Sequence, residues 1–422
     1  MAIYHVRPLD APIDTVVTVP GSKSVANRAL VCAALAEGTS RLGNLPDGDD
    51  TAAMLACLEQ LGIAIGDGGN GTAAVAGTGG ALRSGPIDLP TRLAGTTSRF
   101  ITAVAALGSG PYTVDGDPPL RTRPMAPLHD ALLALGATIR PGERWGHLPV
   151  TISGPLRPNG RVEVPGDISS QFLTSLMLIG PYIPGGLRVT ITTPLVSRPY
   201  LELTQSVMAE FGHDAVTITD TTVEVAAGRY HARDYSIEPD ASSAGYPLAA
   251  AAICGGRVEI PGLTKDSVQG DNGFCEVLAL MGCRATRHEH STVVASGDHL
   301  VGVDINMVDL SDLVPTLAAV AVFASTPTRI RGVGFIRAKE SDRLGDLCRE
   351  LRHLGARADE TDDGLVIEPS ELHGALLETH HDHRLAMAFG LIGLRVPGVE
   401  IDDPGVVSKS WPGYWDMLGG LR

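Results

Sequence analysis

The amino-acid sequence predicts an α/β protein of two domains assembled from six repeated units, and three observations predict it. Six apolar, helix-like stretches recur at nearly constant spacing: counted from Ser24, equivalent starts fall at Thr96, Ser169, Ser242, Asp312 and Asp382, with gaps of 72, 73, 73, 70 and 70 residues. Amphipathic segments keep the same beat and end near Gly62, Gly136, Gly212, Gly282, Gly355 and Gly419, where a glycine takes the left-handed conformation that closes a helix. Between them lie short alternating runs (TVVTV, RVEV, LRVTIT, TVEVAA, RVEIPG and GLVIEP) bounded by Gly, Pro, Asn and Asp, which are strand and turn signals. A repeat of this length is too long for a simple solenoid. It holds enough elements for a small βαβαββ-like unit with a mixed sheet.

The six apolar stretches read ANRALVCAALAEG, TSRFITAVAALG, SQFLTSLMLIG, SAGYPLAAAAICGG, LVPTLAAVAVFA and DHRLAMAFGLIG. They are apolar over more than one face, which marks buried helices. If these helices run roughly parallel, their N-termini gather unpaired N–H donors and positive dipole ends in one region, which attracts anions. At 422 residues the chain exceeds the size of one hydrophobic core, so three repeats on each side of a boundary near Ile237 to Asp240 is the natural division. The segment up to Pro20 is free to pack with the C-terminal half, although its own pattern does not decide this. The glycine-rich stretch from Gly66 to Gly80 has no Lys-Ser/Thr ending and no following helix, so it reads as a hairpin tip rather than a phosphate loop.

Hydrophobic residues make up 44% of the chain and aromatics only 4%, so the core is aliphatic and admits close helix approach. A formal charge of −15 argues against general nucleic-acid binding, while leaving room for cations gathered in one cleft. Six scattered cysteines without a CxxC pair read as reduced thiols of a cytoplasmic protein. No basic-then-apolar leader opens the chain, and its apolar runs are too short and interrupted to span a bilayer. Nothing marks an oligomer interface, so the oligomeric state stays open and a monomer is compatible.

The first buried helix opens with Pro20-Gly21-Ser22-Lys23-Ser24-Val25-Ala26-Asn27-Arg28, a lysine, hydroxyls and an arginine within a turn or so of a helix start. They form a cradle for an oxyanion or phosphate. By spacing alone, an N-cap with solvated charges fits as well. Further cations sit beside helix starts or in polar loops: Arg99, Arg121, Arg123, Arg198, Lys339, Arg343, Arg384 and Lys409. Each alone is ordinarily a surface residue; together they suit a substrate carrying both phosphate and carboxylate. Among them stand Asp312 and Glu340, carboxylates whose neighbours would tune them for acid–base work. Taken singly, Asp312 would be a helix cap and Glu340 a surface ion-pair partner. The run His380-His381-Asp382-His383 looks like a metal cluster, but adjacent residues on a regular element cannot all face one ion. Asp382 reads better as a cap or structural ion partner, with His383 and Arg384 directed at the cleft.

These motifs resemble the 5-enolpyruvylshikimate-3-phosphate synthase family of enolpyruvyl transferases over essentially the whole chain. PGSKSVANRAL, AGTTSRF, RTRPM, SSQFLTSL, SRPYLELT, EPDASSAGYPLAAAA, SVQGD, AKESDRL, HDHRLAMAF and DPGVVSKSWPGYW carry the resemblance in the family's order. It implies a two-domain enolpyruvyl transferase-like fold, each domain three βαβαββ units around buried parallel helices. Residues 1–20 with 238–422 would form one domain and residues 21–237 the other, with the active site in the cleft between them. The implied reaction transfers the enolpyruvyl group of phosphoenolpyruvate to the 5-hydroxyl of shikimate 3-phosphate, through a tetrahedral intermediate, with release of phosphate. The resemblance implies that Lys23, Ser24, Arg28, Ser169, Ser170, Gln171, Ser197, Tyr200, Asp312 and Lys339 hold shikimate 3-phosphate. Lys23, Gly95, Arg123, Gln171, Arg343, Arg384 and Lys409 would hold phosphoenolpyruvate. Asp312 matches the general base and Glu340 the proton donor, with Lys23 and His383 in support; no metal or organic cofactor is implied. Partners are the two small substrates, with no nucleic acid and no membrane.

Three positions depart from the family's pattern. Leu93 replaces a polar residue before Ala94-Gly95-Thr96, Phe100 replaces a proline after Arg99, and Phe335 stands where a polar residue contacts the acceptor. Leu93 and Phe335 motivate an alternative acceptor, a specialised-metabolism alcohol; the related transferase with the same fold and donor offers another, UDP-N-acetylglucosamine. Against the latter, the loop Asp117-Pro118-Pro119-Leu120-Arg121-Thr122 lacks that transferase's reactive cysteine. A non-catalytic binding protein on the same scaffold would be expected to lose Lys23, Arg123, Asp312 or Glu340, and all four are present.

Overall fold

The computed structural model describes residues 2–69 and 71–421. Contacts divide the chain into two compact units, Gly21 to Ile237 and the segment up to Pro20 together with Glu238 onward. Each has its own hydrophobic core. The six apolar stretches fold as helices Lys23–Leu35, Gly95–Ala105 and Ser170–Ile179 in one unit, and Ala241–Cys254, Val314–Ala321 and His383–Gly393 in the other. Nearly every side chain on them is buried, because each helix packs against the other two of its unit and against a sheet. Small residues make this possible: Ala26, Ala29, Ala33 and Ala34 on the first, and Ala249 to Ala252 on the fourth, let helices approach without side-chain interference.

Five of the six glycine markers close an amphipathic helix by the same device. Gly62, Gly136, Gly212, Gly282 and Gly355 have φ between 82° and 104°. Each donates its N–H to the carbonyl three residues back, and the next residue donates five back, as in Gly62 to Glu59 and Ile63 to Leu58, the Schellman arrangement. Gly419 differs from the sequence expectation. It lies inside the helix Tyr414–Gly420 and is not among the left-handed glycines. The other five helices turn at once toward a strand, whereas no described strand follows this one.

Five sheets have four strands and share one layout, a parallel pair at one edge followed by two strands that pair antiparallel, and in three of them a buried helix joins the parallel pair. Strands Gly160–Val164, Leu187–Ile191, Thr222–Val225 and Val216–Ile218 illustrate it. Val162, Val164, Val189 and Ile191 point inward while Arg161, Glu163, Arg188 and Thr190 point out, the period-two pattern of a sheet with one face covered. Two units of the repeat borrow their first strand. Asp234–Ser236 pairs with Glu37–Gly43, and Ile13–Val16 pairs with Gly256–Pro261. The sixth sheet has three strands, Leu376–Leu377, Glu400–Asp402 and Ile3–His5, the last from the other end of the chain. The Gly66 to Gly80 stretch is a hairpin of Ala64–Gly69 and Thr72–Thr78, with Asn70 outside the described residues. No helix among the described residues is long and apolar enough to cross a membrane.

Candidate active site

In the unit 21–237, Ser22 Oγ accepts the N–H of Val25 at 3.4 Å and caps the first buried helix. Lys23 therefore stands in the first turn, its Nζ 3.0 Å from Asp50 Oδ2. One turn on, Arg28 is buried. Its Nη1 donates to Ser24 O at 2.8 Å, Nη2 to Tyr200 O at 3.1 Å and Nε to Thr204 Oγ1 at 2.9 Å, while the Phe100 and Tyr200 rings flank it at 5.6 and 5.9 Å. Burial lowers its pKa to about 10, so the guanidinium stays charged at neutral pH and clamps the first helix to the helix Pro199–Glu210. Ser197, at the turn before that helix, is buried in a left-handed conformation (φ 56°).

The second and third helix starts meet the same way. Arg99 Nη1 donates to Gly95 O at 3.1 Å and to Gln171 Oε1 at 2.9 Å, linking the two N-termini. Ser169 Oγ accepts from Gln171 N at 3.3 Å, and Ser170 is buried behind it. A Cβ on Gly95 would lie 2.5 Å from Arg123 Nη1 and 2.9 Å from Arg99 Nη1. Two guanidinium groups crowd this backbone because it carries no side chain. Helices whose first turns hydrogen-bond to one another start at the same end of the bundle, which is the donor-rich arrangement that favours anions.

The other unit gathers the carboxylates. Asp312 lies in the 3₁₀ turn Ser311–Leu313 before the fifth buried helix and makes no side-chain cap there. Its Oδ2 takes a hydrogen bond from Arg384 Nη2 at 2.7 Å, and its Oδ1 one from Arg343 Nη1 at 3.1 Å, with Lys339 Nζ at 3.9 Å. Burial alone would raise its pKa; Arg384, Lys339 and Arg343 outweigh it and hold the carboxylate well below its ordinary range. Arg343 is the hub. It reaches Glu340 Oε2 at 2.6 Å and Asp382 Oδ2 at 2.7 Å as well as Asp312. Burial opposes its charge, but the three carboxylates raise its pKa further above the ordinary value. Asp382 also caps the sixth helix by accepting the N–H of Arg384 at 2.9 Å, so one residue orients two cations. His383 is buried beside it, Nδ1 to Asp382 Oδ1 3.6 Å. Lys409, also buried, ends a 3₁₀ turn that packs on the sixth helix.

The histidine run is dispersed. His380 and His381 are both left-handed, His380 Nε2 sits 2.9 Å from buried Glu350, and His381 Nδ1 is 3.4 Å from Asp403 on the outer face. Among the described residues one group has clustered ligand atoms, Glu350, Glu378 and His380. Glu350 there already accepts from His380 and from the Glu378 N–H at 3.1 Å. All six cysteines are free thiols. Residues missed by the sequence analysis are Asp50, the partner of Lys23, Thr204 on Arg28, and Asp271, which accepts a hydrogen bond from Ser242 Oγ. Asp271 lies in the SVQGD segment, whose lone acidic residue after Gly270 was its only signal.

The family model described as EPSP synthase (3-phosphoshikimate 1-carboxyvinyltransferase) matches residues 9–418. The chain belongs to the EPSP synthase family. A 3-phosphoshikimate 1-carboxyvinyltransferase of Trichormus variabilis is 44% identical over 409 residues, covering 96% of each chain. One from Methanoculleus marisnigri is 40% identical over 411 residues and 97% of each. Among solved structures, an EPSP synthase from Acinetobacter baumannii superimposes with a TM-score of 0.82 at 26% identity, covering 99% of this chain and 97% of its own. The enolpyruvyl transferase NikO from Streptomyces tendae shares the fold, with a TM-score of 0.78 at 19% identity, over 99% of this chain and 97% of that one. Of the departures from the EPSP synthase pattern, Phe100 is fully buried against Arg28, Leu93 is 39% exposed, and the Phe335 ring centre lies 5.9 Å from Lys339 Nζ.

Proposed function

We propose that this chain transfers the carboxyvinyl group of phosphoenolpyruvate to the 5-hydroxyl of shikimate 3-phosphate and releases phosphate. The observation that carries this reading, beside family membership, is the Asp312 carboxylate held ionised between Arg384 and Arg343 with Glu340 on the same Arg343. The pair supplies a proton acceptor and a proton donor on one buried cation. In the addition step Asp312 takes the hydroxyl proton, the oxygen bonds to C2 of phosphoenolpyruvate, and C3 receives a proton from Glu340. In the elimination step Glu340, left as a carboxylate by the addition, takes a proton back from C3, the C2–O bond to phosphate breaks with its electron pair leaving on phosphate, and the double bond returns. The cation-like centre at C2 is neighboured by carboxylate and phosphate, so fixed charges lower the barrier without reorganising.

The binding roles divide by substrate. Lys23, Ser24, Arg28, Ser169, Ser170, Gln171, Ser197 and Tyr200 are assigned to shikimate 3-phosphate, with Lys339 and Asp312 at its reacting side. Gly95, Arg123, Arg343, Arg384 and Lys409 are assigned to phosphoenolpyruvate, with Lys23 and Gln171 serving both. Arg28 serves mainly by fixing Ser24 and Tyr200, since its guanidinium is bonded to their carbonyls. Lys23 and His383 act in support. The free thiols suit a reducing compartment, the cytoplasm. The test is phosphate release from phosphoenolpyruvate with shikimate 3-phosphate or UDP-N-acetylglucosamine as acceptor. Turnover with the first alone is expected; none with the first overturns the reading.

A further inference from the structure

The 3₁₀ turn Gly334–Ala338 leads into Lys339 and carries an aromatic ring that the proposed reaction leaves without a role. Phe335 is half-buried and packs against the hydrophobic core of its unit. The turn is pinned: Val333 donates its N–H to Asp363 O at 2.7 Å, Ile336 is fully buried, and Arg337 reaches Asp342 Oδ2 at 3.0 Å and Glu360 Oε2 at 2.6 Å. The Lys339 N–H donates back to Ile336 O at 3.3 Å, and the Lys339 Nζ lies over the Phe335 ring, 5.9 Å from its centre. That is within the range at which the negative face of a ring attracts an ammonium. The same Nζ is 3.9 Å from Asp312 Oδ1, where Arg343 and Arg384 hydrogen-bond the carboxylate at 3.1 and 2.7 Å. Lysine is a point charge on a flexible four-carbon stem, so its place beside Asp312 depends on what else attracts it. The Phe335 ring, carried on a fixed turn, is one such attraction.

We propose that Phe335 is a positioning residue for Lys339: its ring holds the ammonium beside Asp312, at the reacting hydroxyl of the acceptor. No atom is transferred; the attraction is electrostatic. A lysine held in this way has already given up rotamer freedom that it would otherwise lose on meeting the substrate, so part of the cost of binding is met before the acceptor arrives. An aliphatic side chain at position 335 would cover the same core without attracting the charge. The proposal rests on the reading of Lys339 and Asp312 as the reacting side of the shikimate 3-phosphate site.

The test varies the charge distribution of the ring at nearly constant size. Replacing Phe335 by monofluoro-, difluoro- and pentafluorophenylalanine drains the negative face in steps. The kcat/KM for shikimate 3-phosphate should fall in the same order, by roughly threefold to tenfold at pentafluorophenylalanine, with KM for phosphoenolpyruvate little changed. In Lys339→Met the series should be flat, because no ammonium remains to be held. A purely structural role for the ring predicts the same losses in both backgrounds. No trend with fluorination, or an equal trend in Lys339→Met, overturns the proposal. A readout without substrate comes from the four lysines of the chain, Lys23, Lys265, Lys339 and Lys409. In nuclear magnetic resonance spectra of protein made with isotopically labelled lysine, the ε-methylene signal missing from Lys339→Met belongs to Lys339. Protons over a ring face are shielded, so that signal should lie upfield of the Lys265 signal and move downfield in Phe335→Leu; a signal that stays in place overturns the proposal. A wild type that turns over no shikimate 3-phosphate defeats the functional reading instead, and the lysine spectra still decide whether the ring holds the ammonium.

Discussion

Arg343 Nε and Asp382 Oδ2 meet at 2.7 Å with the two side chains 1% and 0% exposed. A pair so far from water is costly to assemble and costlier to halve, because the survivor is left as an uncompensated charge. Arg343→Met and Asp382→Asn are each expected to lower the unfolding free energy by about 3–5 kcal/mol, read from urea midpoints. Asp382→Asn should be the milder, since asparagine still caps the sixth helix. A loss below about 1 kcal/mol in both would mean the pair is solvated in solution.

Asp312→Ala should reduce kcat by about 10²- to 10⁴-fold while shikimate 3-phosphate binding, measured by calorimetry, stays within about tenfold. The asymmetry follows from its role as a proton acceptor between two arginines rather than a phosphate ligand. Unchanged turnover would remove Asp312 from the mechanism.

Gly95→Ala places a methyl 2.5 Å from Arg123 Nη1. The guanidinium has to retreat, so KM for phosphoenolpyruvate should rise about tenfold or more, on the order of 1–2 kcal/mol of lost contact, with kcat less affected. A KM equal to that of the wild type would show that Arg123 does not hold this substrate.

His129 is fully buried, neither ring nitrogen has a hydrogen-bond partner, and the Trp145 ring stands edge-on at 6.0 Å. Burial, aided by His147, lowers its pKa to about 4, against about 6.5 when unfolded. The folded state therefore binds fewer protons between these values. Its stabilising contribution is complete above about pH 6.5 and is lost as pH falls to about 4, a total of about 3 kcal/mol. His129→Leu should abolish that part of the acid sensitivity: between about pH 7.5 and 4 the wild type should lose more stability than the variant. Parallel losses would show that His129 protonates without penalty.

Gly62→Ala forces a side chain into φ 98° and should cost about 1–2 kcal/mol. Gly419→Ala, inside a helix with open space where the methyl would go, should be neutral or add about 0.5–1 kcal/mol. Equal losses would contradict the helix boundary at Gly420. This contrast also marks what the sequence could convey. The five closing glycines and six buried helices were legible because each is a local pattern repeated in one chain. The sixth closure failed because glycine at a helix end looks the same whether or not the chain must reverse there.

Long-range placement was hidden for the same reason. Ile3–His5 and Ile13–Val16 are short strands whose partners lie roughly 240 to 400 residues away, and nothing in four residues specifies a partner at that distance. Lys23, Asp312 and Arg343 could be singled out as charged residues at helix starts. The partners of Lys23 and of Arg28 could not, since Asp50 and Thr204 meet them only after folding.

The borrowed strands set an order of events during synthesis. The unit 21–237 can complete its first sheet as soon as Asp234–Ser236 leaves the ribosome, so it is able to fold while the remainder is still being made, at about 5–20 residues per second. The opening segment has a longer wait. Ile13–Val16 needs Gly256–Pro261, and Ile3–His5 needs Glu400–Asp402, so each is made long before its partner. Until that partner emerges each is an unpaired strand edge, a part of the nascent chain in need of a chaperone's cover.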